Sequence, residues 1–382
     1  MTSYKHLFQR ALAAAPERLH MAAHSHHLWP DASWLGHQAA WDDAARLADK
    51  KWSRVMGEIW QGAQHHVARE LKLPDPETVV FAGNTHDFLV RIASAIDARP
   101  LRILATDGEF HSFRRQAAAW VEAGQATLDL VPATGHDPVA ALAERMAQRR
   151  HDLVVVSQVL FGSGRVLSGF DRLAIHAAPE GPWLLIDGYH GFMATDTDLE
   201  SIADRAFYTA GGYKYAMSGE GVGFLHAPPG FATRPVQTGW YAEFDDLSLP
   251  PGGIGYAPDA RRFLGGTFDP SGLYRFVAVR DMLVRERLDT AAISRHVAGL
   301  RDLLIAGIEN TALGHAELLN PPIGGPQARF LALRSPHAGK WQGRLLERDV
   351  VTDVRGDVLR IGLGLYHDER DVARFVEEAG WL

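Results

Sequence analysis

Between residues 78 and 209 the sequence alternates between short apolar or β-branched runs and amphipathic segments with helical spacing. The alternation predicts, in order, the strand Thr78–Ala82, the helix Thr85–Ile96, the strand Arg102–Ala105, the helix Ser112–Ala123, the strand Ala126–Val131, the helix Pro138–Arg149, and the strands Leu153–Val156, Trp183–Ile186 and Arg205–Thr209. Strands that are joined through helices run parallel, because a parallel connection needs a crossover of about a dozen residues or more. The pattern therefore predicts an α/β fold with a mostly parallel sheet covered by helices.

The chain of 382 residues is longer than one hydrophobic core usually supports, since single cores stop growing near about 250–300 residues. We therefore expect three segments: a helical segment at 1–70, a large unit at 71–272, and a connecting helix with a small α/β unit at 273–382. The last part of the large unit, 227–272, contains seven prolines and is predicted to be a loop. A loop of this length in a compact enzyme is usually functional or lies at a subunit interface.

Charge and composition exclude several function classes. A net charge of −7 argues against binding to a nucleic-acid backbone. The sequence has no cysteine, which rules out disulfides, thiolate metal sites, iron–sulfur clusters, and a thiol nucleophile or persulfide carrier. No apolar run is long enough for a membrane span or a signal peptide. We expect a soluble, cytoplasmic protein that binds neither nucleic acid nor membrane.

The segment after the first predicted strand has the features of an anion site. Asn84 is a good helix N-cap, and Asp87 lies three residues later, at the second position of a capping box. A helix N-terminus presents free backbone N–H groups, to which Thr85 adds a hydroxyl donor. The segment predicts a phosphate site, although such a motif is more often an ordinary helix cap.

Two chemically active side chains follow apolar strands further along. Asp187 follows Trp183–Ile186, and Lys214 comes soon after Arg205–Thr209, between two tyrosines. Ligands of open parallel sheets bind at the carboxyl ends of strands, where a lysine in a semi-apolar pocket can act as a nucleophile. Taken singly, Asp187 is as often a turn cap, and Lys214 is more often a surface lysine. Together with the phosphate site they form the set that pyridoxal 5'-phosphate (PLP) needs: a phosphate anchor, a partner for the pyridinium nitrogen and a Schiff-base lysine.

Three further features of the sequence can each be interpreted in two ways. Phe110, after a strand, could stack on a cofactor ring or belong to the core. Arg360, in the apolar strand Val358–Gly362, could bind a substrate carboxylate or form an internal salt bridge. His24 and His26 lie on one side of an extended stretch and could bind a metal, but a polar rim around an active-site mouth is the more common arrangement. We therefore expect no metal site.

In order and spacing these residues resemble the class V aminotransferase superfamily of PLP-dependent enzymes, and within it the kynureninases. The resemblance covers roughly residues 75–380. Its most specific segments are Val350–Arg360, Leu365–Tyr366, Asp371–Val372, Gly212–Tyr215, Gly239–Trp240, Arg262–Phe263 and Gly266–Thr267; weaker ones are Thr85–His86, Glu109–Phe110 and Asp187–His190. The resemblance implies the aspartate aminotransferase fold: a large PLP-binding domain, a small C-terminal domain completed by the N-terminal segment, and a homodimer with shared active sites.

The resemblance also implies roles for individual residues. They are Lys214 as the Schiff-base lysine that moves the Cα proton, Asp187 as partner of the pyridinium nitrogen with His190 in support, Phe110 stacked on the ring, Thr85, His86 and Tyr213 at the phosphate, Trp240 and Thr267 at the phosphate from the neighbouring subunit, and Arg360 at the substrate carboxylate. From its place in the histidine cluster at the mouth of the site, we also expect His24 to bind substrate.

The sequence departs from the kynureninases at three places around the cofactor or substrate. The stretch Ala23–His27 stands where they have Asn-Ser-Leu-Gly, Phe113 where they have an acidic residue, and Leu365–His367 where they read Leu-Tyr-Asn. We expect a kynureninase-like hydrolase that cleaves the Cβ–Cγ bond of a kynurenine-type substrate. The alternatives are a class V aminotransferase or β-lyase acting on another amino acid and, more distantly, a metal hydrolase using the histidine cluster. The missing cysteine excludes the desulfurase reaction that runs through a protein persulfide.

Overall fold

The structure is a computed structural model that describes residues 2–243 and 252–382, so residues 244–251 of the predicted interface loop lie outside the described residues. The α-helices are α1 (Gln9–Ala13), α2 (Asp31–Leu47), α3 (Lys51–Arg54), α4 (Trp60–Leu71), α5 (Thr85–Ser94), α6 (His111–Glu122), α7 (Pro138–Gln148), α8 (Asp171–Ala174), α9 (Ser271–Arg285), α10 (Thr290–Ile308), α11 (Ala338–Leu346) and α12 (Glu369–Ala379). The strands are β1 (Leu19–His20), β2 (Val79–Ala82), β3 (Leu101–Thr106), β4 (Ala126–Val131), β5 (Leu153–Ser157), β6 (Trp183–Asp187), β7 (Ala206–Gly211), β8 (Gly223–His226), β9 (Glu317–Leu318), β10 (Phe330–Arg334), β11 (Val350–Val351), β12 (Asp353–Arg355) and β13 (Val358–Gly362).

The large sheet has seven strands in the order β2-β8-β7-β6-β5-β3-β4. Neighbouring strands from β7 to β4 pair in parallel, and β8 runs antiparallel to both β7 and β2. Every residue of β5, β7 and β8 is buried, as expected for strands that have helices on both faces. The predicted α/β fold with a mostly parallel sheet is thereby confirmed.

The helices of the large unit begin where side chains cap them. The Asn84 side chain accepts a hydrogen bond from the Asp87 backbone N–H at 3.1 Å and so begins α5 directly after β2. Asp137 caps α7 in the same way, with Pro138 at the first helical position. These caps explain why the predicted helix starts lie within a residue of the observed ones.

The C-terminal part forms a second, four-stranded sheet in the order β12-β13-β10-β9. The N-terminal segment packs onto it, because β1 pairs in parallel with β11 and the Gly362 N–H donates to the Met21 carbonyl at 2.7 Å. Lys5 adds ion pairs with Asp368 and Asp371 near the start of α12. The chain therefore brings residues of its first thirty positions next to the strand that carries Arg360.

Helix α2 crosses α9 at very close range. A Cβ on Gly36 would lie 2.5 Å from the Tyr274 carbonyl oxygen, so only glycine fits at this crossing. The opposite face of α2 leaves Trp34, Leu35 and Trp41 exposed. An apolar patch of this kind is typical of a protein–protein contact.

Among residues 2–243 and 252–382, no helix combines the length and the apolar character needed to cross a lipid bilayer.

Buried histidines predict that the protein loses stability in acid. Burial lowers the pKa of His27 and His367 to about 3 and of His226 to about 4. Unfolded histidine titrates near about 6.5, so below that pH the unfolded chain binds more protons, and the free energy of unfolding falls until the folded pKa is reached. Each pKa unit is worth about 1.4 kcal/mol. Burial raises the pKa of Glu109 to about 7, which makes the folded protein more stable as the pH falls. This effect opposes that of the histidines, but it comes from one group against three.

We expect denaturation by urea to require markedly less denaturant at about pH 5 than at about pH 7. The variant His27→Gln should reduce this pH dependence, whereas His6→Gln, at an exposed position, should leave it unchanged. A free energy of unfolding that stays constant over this range would contradict the prediction.

Candidate active site

The carboxyl ends of β5, β6 and β7 meet the N-terminus of α5 around a cavity of about 230 Å³. Seven of the predicted site residues line this one cavity: Thr85, His86, Phe110, Asp187, His190, Tyr213 and Lys214. Sequence reasoning therefore selected residues that the fold brings together from four separate segments.

The other four predicted residues do not line the cavity. Trp240 begins a short 3-10 turn and is half-exposed, and Thr267 is exposed on the chain that follows. Their predicted contacts belong to a neighbouring subunit, so they stay predictions. Arg360 and His24 are buried next to the cavity rather than on its wall.

Lys214 is only 4% exposed and lies among aromatic rings. Its Nζ is 4.5 Å from the Tyr189 ring centre, 5.3 Å from that of Tyr213 and 5.4 Å from that of Phe110. Burial lowers the pKa of Lys214 to about 7, and the nearby Asp187 carboxylate opposes this shift. A large fraction of the amine is then neutral near pH 7 and able to act as a nucleophile.

The turn between β7 and Lys214 packs closely against neighbouring residues, because it contains Gly211 and Gly212. A Cβ on Gly211 would lie 2.3 Å from the Tyr189 hydroxyl, and one on Gly212 would lie 2.4 Å from a Val222 methyl group. The Gly212 N–H donates to the Val222 carbonyl at 2.8 Å. The turn therefore has little freedom, and it fixes where the Lys214 side chain begins.

Asp187 is the last residue of β6 and is partly buried, near the Lys214 charge. Burial raises its pKa, while the Tyr189 backbone N–H, at 2.9 Å from Oδ1, and the Lys214 charge lower it. A buried carboxylate of this kind is stabilised by a cation placed next to it. Asp187 is thus suited to pair with a protonated ring nitrogen.

The N-terminus of α5 forms one end of the cavity. Asn84 uses its side chain as the helix cap, which leaves the amides of Thr85 and His86 to face the cavity. The His86 Nδ1 atom is buried without a hydrogen-bond partner. Gly223 packs tightly on this turn, since a Cβ there would lie 2.8 Å from the Asn84 carbonyl carbon. Free amides and a positive helix end suit a phosphate group.

Aromatic side chains make up another wall. Phe110 and Phe161 meet edge to face with their ring centres 5.4 Å apart, and Phe113 also lines the cavity. Burial holds the pKa of His190 well below its usual value, so its ring is neutral, and its Nδ1 is buried without a partner. Flat apolar faces beside polar atoms that lack partners fit a planar heterocycle such as the PLP ring.

Of the two roles that the sequence left open for Arg360, the structure contains the internal salt bridge. It forms an internal salt bridge with Asp353, and its Nη1 donates to the Phe161 carbonyl at 2.6 Å. Its Nε is buried and has no hydrogen-bond partner, so one donor of the guanidinium is still available to an anion. His24 Nε2 lies 3.7 Å from the same Asp353 carboxylate, and burial lowers the pKa of His24 to about 4.

The N-terminal histidines are dispersed rather than gathered. His26 stacks on Tyr213 with ring centres 5.1 Å apart, while His27 is buried with its Nδ1 bonded to the Leu28 carbonyl. Across residues 2–243 and 252–382, no group of three or more His, Asp or Glu side chains could hold a metal ion. The metal-hydrolase alternative therefore lacks a ligand set in the described part of the chain.

Glu109, which directly precedes Phe110 in a segment of the family resemblance, has no role predicted from the sequence. It is buried, Thr106 Oγ1 donates to it at 2.6 Å, and the Ser157 hydroxyl donates to its other oxygen. An acidic residue between an apolar strand and an aromatic residue was a visible signal. Its burial, however, depends on Thr106 and Ser157, which lie on two different strands.

Comparisons with known proteins identify the family of the chain. The family model for aminotransferase class-V matches residues 44–331. Isopenicillin N epimerase from Streptomyces clavuligerus is 27% identical over 362 residues, 87% of each chain. Kynureninase from Deinococcus radiodurans is 30% identical over 232 residues, which is 59% of this chain and 55% of that one.

Two solved structures share the fold. The cystine C-S lyase C-DES, in complex with cysteine persulfide, superimposes with a TM-score of 0.82 at 18% identity, covering 97% of this chain and 99% of its own. The cysteine desulfurase of Thermococcus onnurineus gives a TM-score of 0.81 at 16% identity, covering 100% and 98%. At these identities the likeness establishes the fold and leaves the reaction open.

A family model that covers most of the chain and a cavity lined by a buried lysine, a partly buried aspartate and a helix N-terminus lead to one conclusion: the chain belongs to the aminotransferase class-V family of PLP-dependent enzymes.

Proposed function

We propose that this enzyme acts on an amino acid with an aromatic side chain and cleaves it hydrolytically at Cβ–Cγ, as kynureninases do. One observation carries most weight: Lys214 and Asp187 line the same cavity as the aromatic side chains of Phe110, Phe113 and Phe161. The aromatic wall suits an aromatic side chain, and the partial relative from Deinococcus radiodurans bears the name kynureninase.

In this proposal the chain's own side chains divide the work of holding PLP. The α5 amides of Thr85 and His86, with the Tyr213 hydroxyl, hold the phosphate, and Phe110 stacks on the ring. Asp187 holds the proton of the ring nitrogen, with His190 in support. When bound, PLP supplies an aldehyde for attachment of an amine and a ring that accepts the electron pair released from Cα.

Lys214 has two tasks in the reaction. Its neutral Nζ would hold PLP at the cofactor's aldehyde while no substrate is bound. It then takes the proton from Cα, as a general base placed beside the reacting carbon. Arg360 binds the substrate carboxylate through its available Nε donor, and His24 lies next to it.

The uptake of PLP by the apoenzyme should depend on pH. Because the Lys214 pKa is lowered to about 7, the neutral amine increases tenfold per pH unit below about 7 and then levels off. The rate at which the visible band appears after mixing with PLP should follow the same curve. A rate that keeps rising to about pH 10, as for an ordinary lysine, would contradict this prediction.

Arg360→Lys should raise KM for the amino acid with a smaller effect on kcat. Lysine keeps the charge but loses the fork of donors, and a hydrogen bond to a charged group is worth about 1.5–3 kcal/mol. We expect KM to rise about 10- to 100-fold. The control is Arg334→Lys, on the neighbouring strand β10, where the side chain is exposed. An unchanged KM would exclude Arg360 from carboxylate binding.

The assay for the reaction is the release of anthranilate and alanine from L-kynurenine, followed by absorbance and chromatography. Formation of both products in equal amounts is expected. A keto acid in place of alanine would favour the alternative aminotransferase, and release of the side chain with pyruvate would favour a β-lyase.

Epimerisation at Cα is a second candidate, because isopenicillin N epimerase matches 87% of the chain whereas the kynureninase match covers 59%. Both reactions begin with removal of the Cα proton. Incubation of the enzyme and its amino-acid substrate in deuterated water distinguishes epimerisation from cleavage. An epimerase yields the opposite enantiomer with deuterium at Cα and no smaller product. This result, without anthranilate release, would replace the first proposal.

We further propose a homodimer in which Trp240 and Thr267 reach the partner's phosphate site. The exposed Trp34 and Trp41 support a subunit contact on α2. Two inactive variants, Lys214→Ala and Trp240→Ala, should regain part of the activity when refolded together, since one site of the mixed dimer is then intact. Mixtures without recovery would show that each subunit builds its own site.

A further inference from the structure

Glu109 is a carboxyl group that the proposed chemistry does not use, although it lies next to residues that do. It is 1% exposed, directly precedes Phe110 and follows the last turn after β3. Its two oxygens accept hydrogen bonds from Thr106 Oγ1 and from the Ser157 hydroxyl. A buried carboxyl group that is held by two hydroxyls and no base is costly as an anion.

The strand order of the sheet places Glu109 close to the cofactor site. Strand β5 lies between β3 and β6, and its last residue, Ser157, pairs in register with Asp187. Ser157 and Asp187 line the cavity, whereas Glu109 lies one strand behind, on the far side of the Ser157 hydroxyl. The three residues form a row across the strand ends, so a charge on Glu109 is felt at Asp187.

The groups that face Glu109 are Thr106 from β3, Ser157 from β5 and Asp187 from β6. Burial raises the pKa of Glu109 to about 7, and the two hydroxyls and the Asp187 charge act on it in opposite directions. Two neighbouring buried carboxyl groups do not ionise together at low cost. Asp187 also accepts the Tyr189 N–H and lies near the Lys214 charge, and both contacts favour its anion.

We propose that Glu109 is a positioning residue which, through Ser157 and Phe110, sets the charge at the Asp187 end of the active site. As a neutral acid it leaves Asp187 to carry the negative charge beside the ring nitrogen. As an anion it adds a second negative charge, so that the groups lining the cavity bind their protons more tightly. This inference rests on the proposed role of Asp187.

The test is a pH titration of the visible absorption band of the holoenzyme. Glu109→Gln matches the neutral acid in shape and cannot ionise, so its titration midpoint should lie about one pH unit below that of the wild type. A shift of this size corresponds to a unit charge roughly 12 Å away at an effective dielectric constant of about 20. The matched control is Glu122→Gln, at the exposed C-terminal end of α6, the helix that follows Glu109.

A second readout does not need activity. The affinity of the apoenzyme for PLP should change with pH around pH 7 in the wild type, and Glu109→Gln should lose that component. If Glu109 only stabilises the fold, Glu109→Gln lowers the melting temperature while the titration midpoint stays unchanged, and this result would overturn the inference.

Thr106→Val keeps the inference testable if Glu109→Gln does not fold. It removes one hydroxyl that favours the anion, so Glu109 stays neutral to higher pH and the midpoint should move in the same direction by a smaller amount. An unmoved midpoint in this variant would then count against the inference. Asp187→Asn separates the two proposals: if it changes the titration and Glu109→Gln does not, the Asp187 role stands and the Glu109 inference fails.

Discussion

Lys214→Ala is expected to reduce turnover of the amino-acid substrate by at least about 1,000-fold. General acid–base catalysis alone contributes about 100- to 10,000-fold, and this variant also removes the nucleophile that holds the cofactor. The purified variant should lack the visible band that disappears from the wild type on treatment with borohydride. PLP should still enter the cavity, because the α5 amides and Phe110 remain in place.

Two controls make the Lys214 result specific. Lys72→Ala removes an exposed lysine paired with Asp196 and Asp198, and it should keep full activity. Added methylamine should restore part of the proton transfer in Lys214→Ala, since a small amine fits the space that the side chain leaves. A variant with more than a few per cent of wild-type activity would place the catalytic amine elsewhere.

Asp187→Asn is expected to bind PLP but to lose about 100- to several thousandfold in kcat. The change keeps the shape of the side chain and removes its charge. Breaking a buried charge pair by removal of one partner costs about 3–5 kcal/mol, and each 1.4 kcal/mol is about tenfold in rate. The Tyr189 N–H that now donates to Asp187 Oδ1 can donate to the asparagine oxygen, so the turn after β6 should be preserved.

The informative measurement for Asp187→Asn is kcat together with the PLP content of the purified protein. The control is Asp204→Asn, which removes one negative charge at an exposed position away from the site. Full cofactor occupancy with low kcat is the expected result. Unchanged kcat would show that Asp187 does not hold the ring nitrogen, and loss of PLP without loss of kcat per bound cofactor would make it a binding residue only.

Much of the fold could be predicted because strand residues and turn residues alternate cleanly. The strand predicted at Ala126–Val131 is observed with the same bounds, and the other central strands differ by one or two residues at their ends. The site followed from the fold, because the carboxyl ends of parallel strands meet at one edge of the sheet. Asp187 and Lys214 could therefore be paired from the sequence alone.

Other features could not be predicted because they depend on distant partners. The helical run after Asp31 breaks into a π-helical turn at Val55–Ile59, which no local pattern announces. Asp353, which pairs with Arg360, is only seven residues away, but their contact depends on the antiparallel register of β12 and β13. The charge state of Glu109 depends on burial that its own segment does not create.

The pairing of β1 with β11 has a consequence for how the enzyme matures in a cell. Residues 19 and 20 are translated about 330 residues before their strand partners, residues 350 and 351. Contacts between such distant parts of a chain form late and slowly. The His27 backbone N–H, which bonds to the Tyr213 carbonyl beside Lys214, belongs to the same N-terminal segment. The nascent chain should therefore fold its large sheet first and become able to capture the vitamin cofactor only after residues 350 and 351 have been translated.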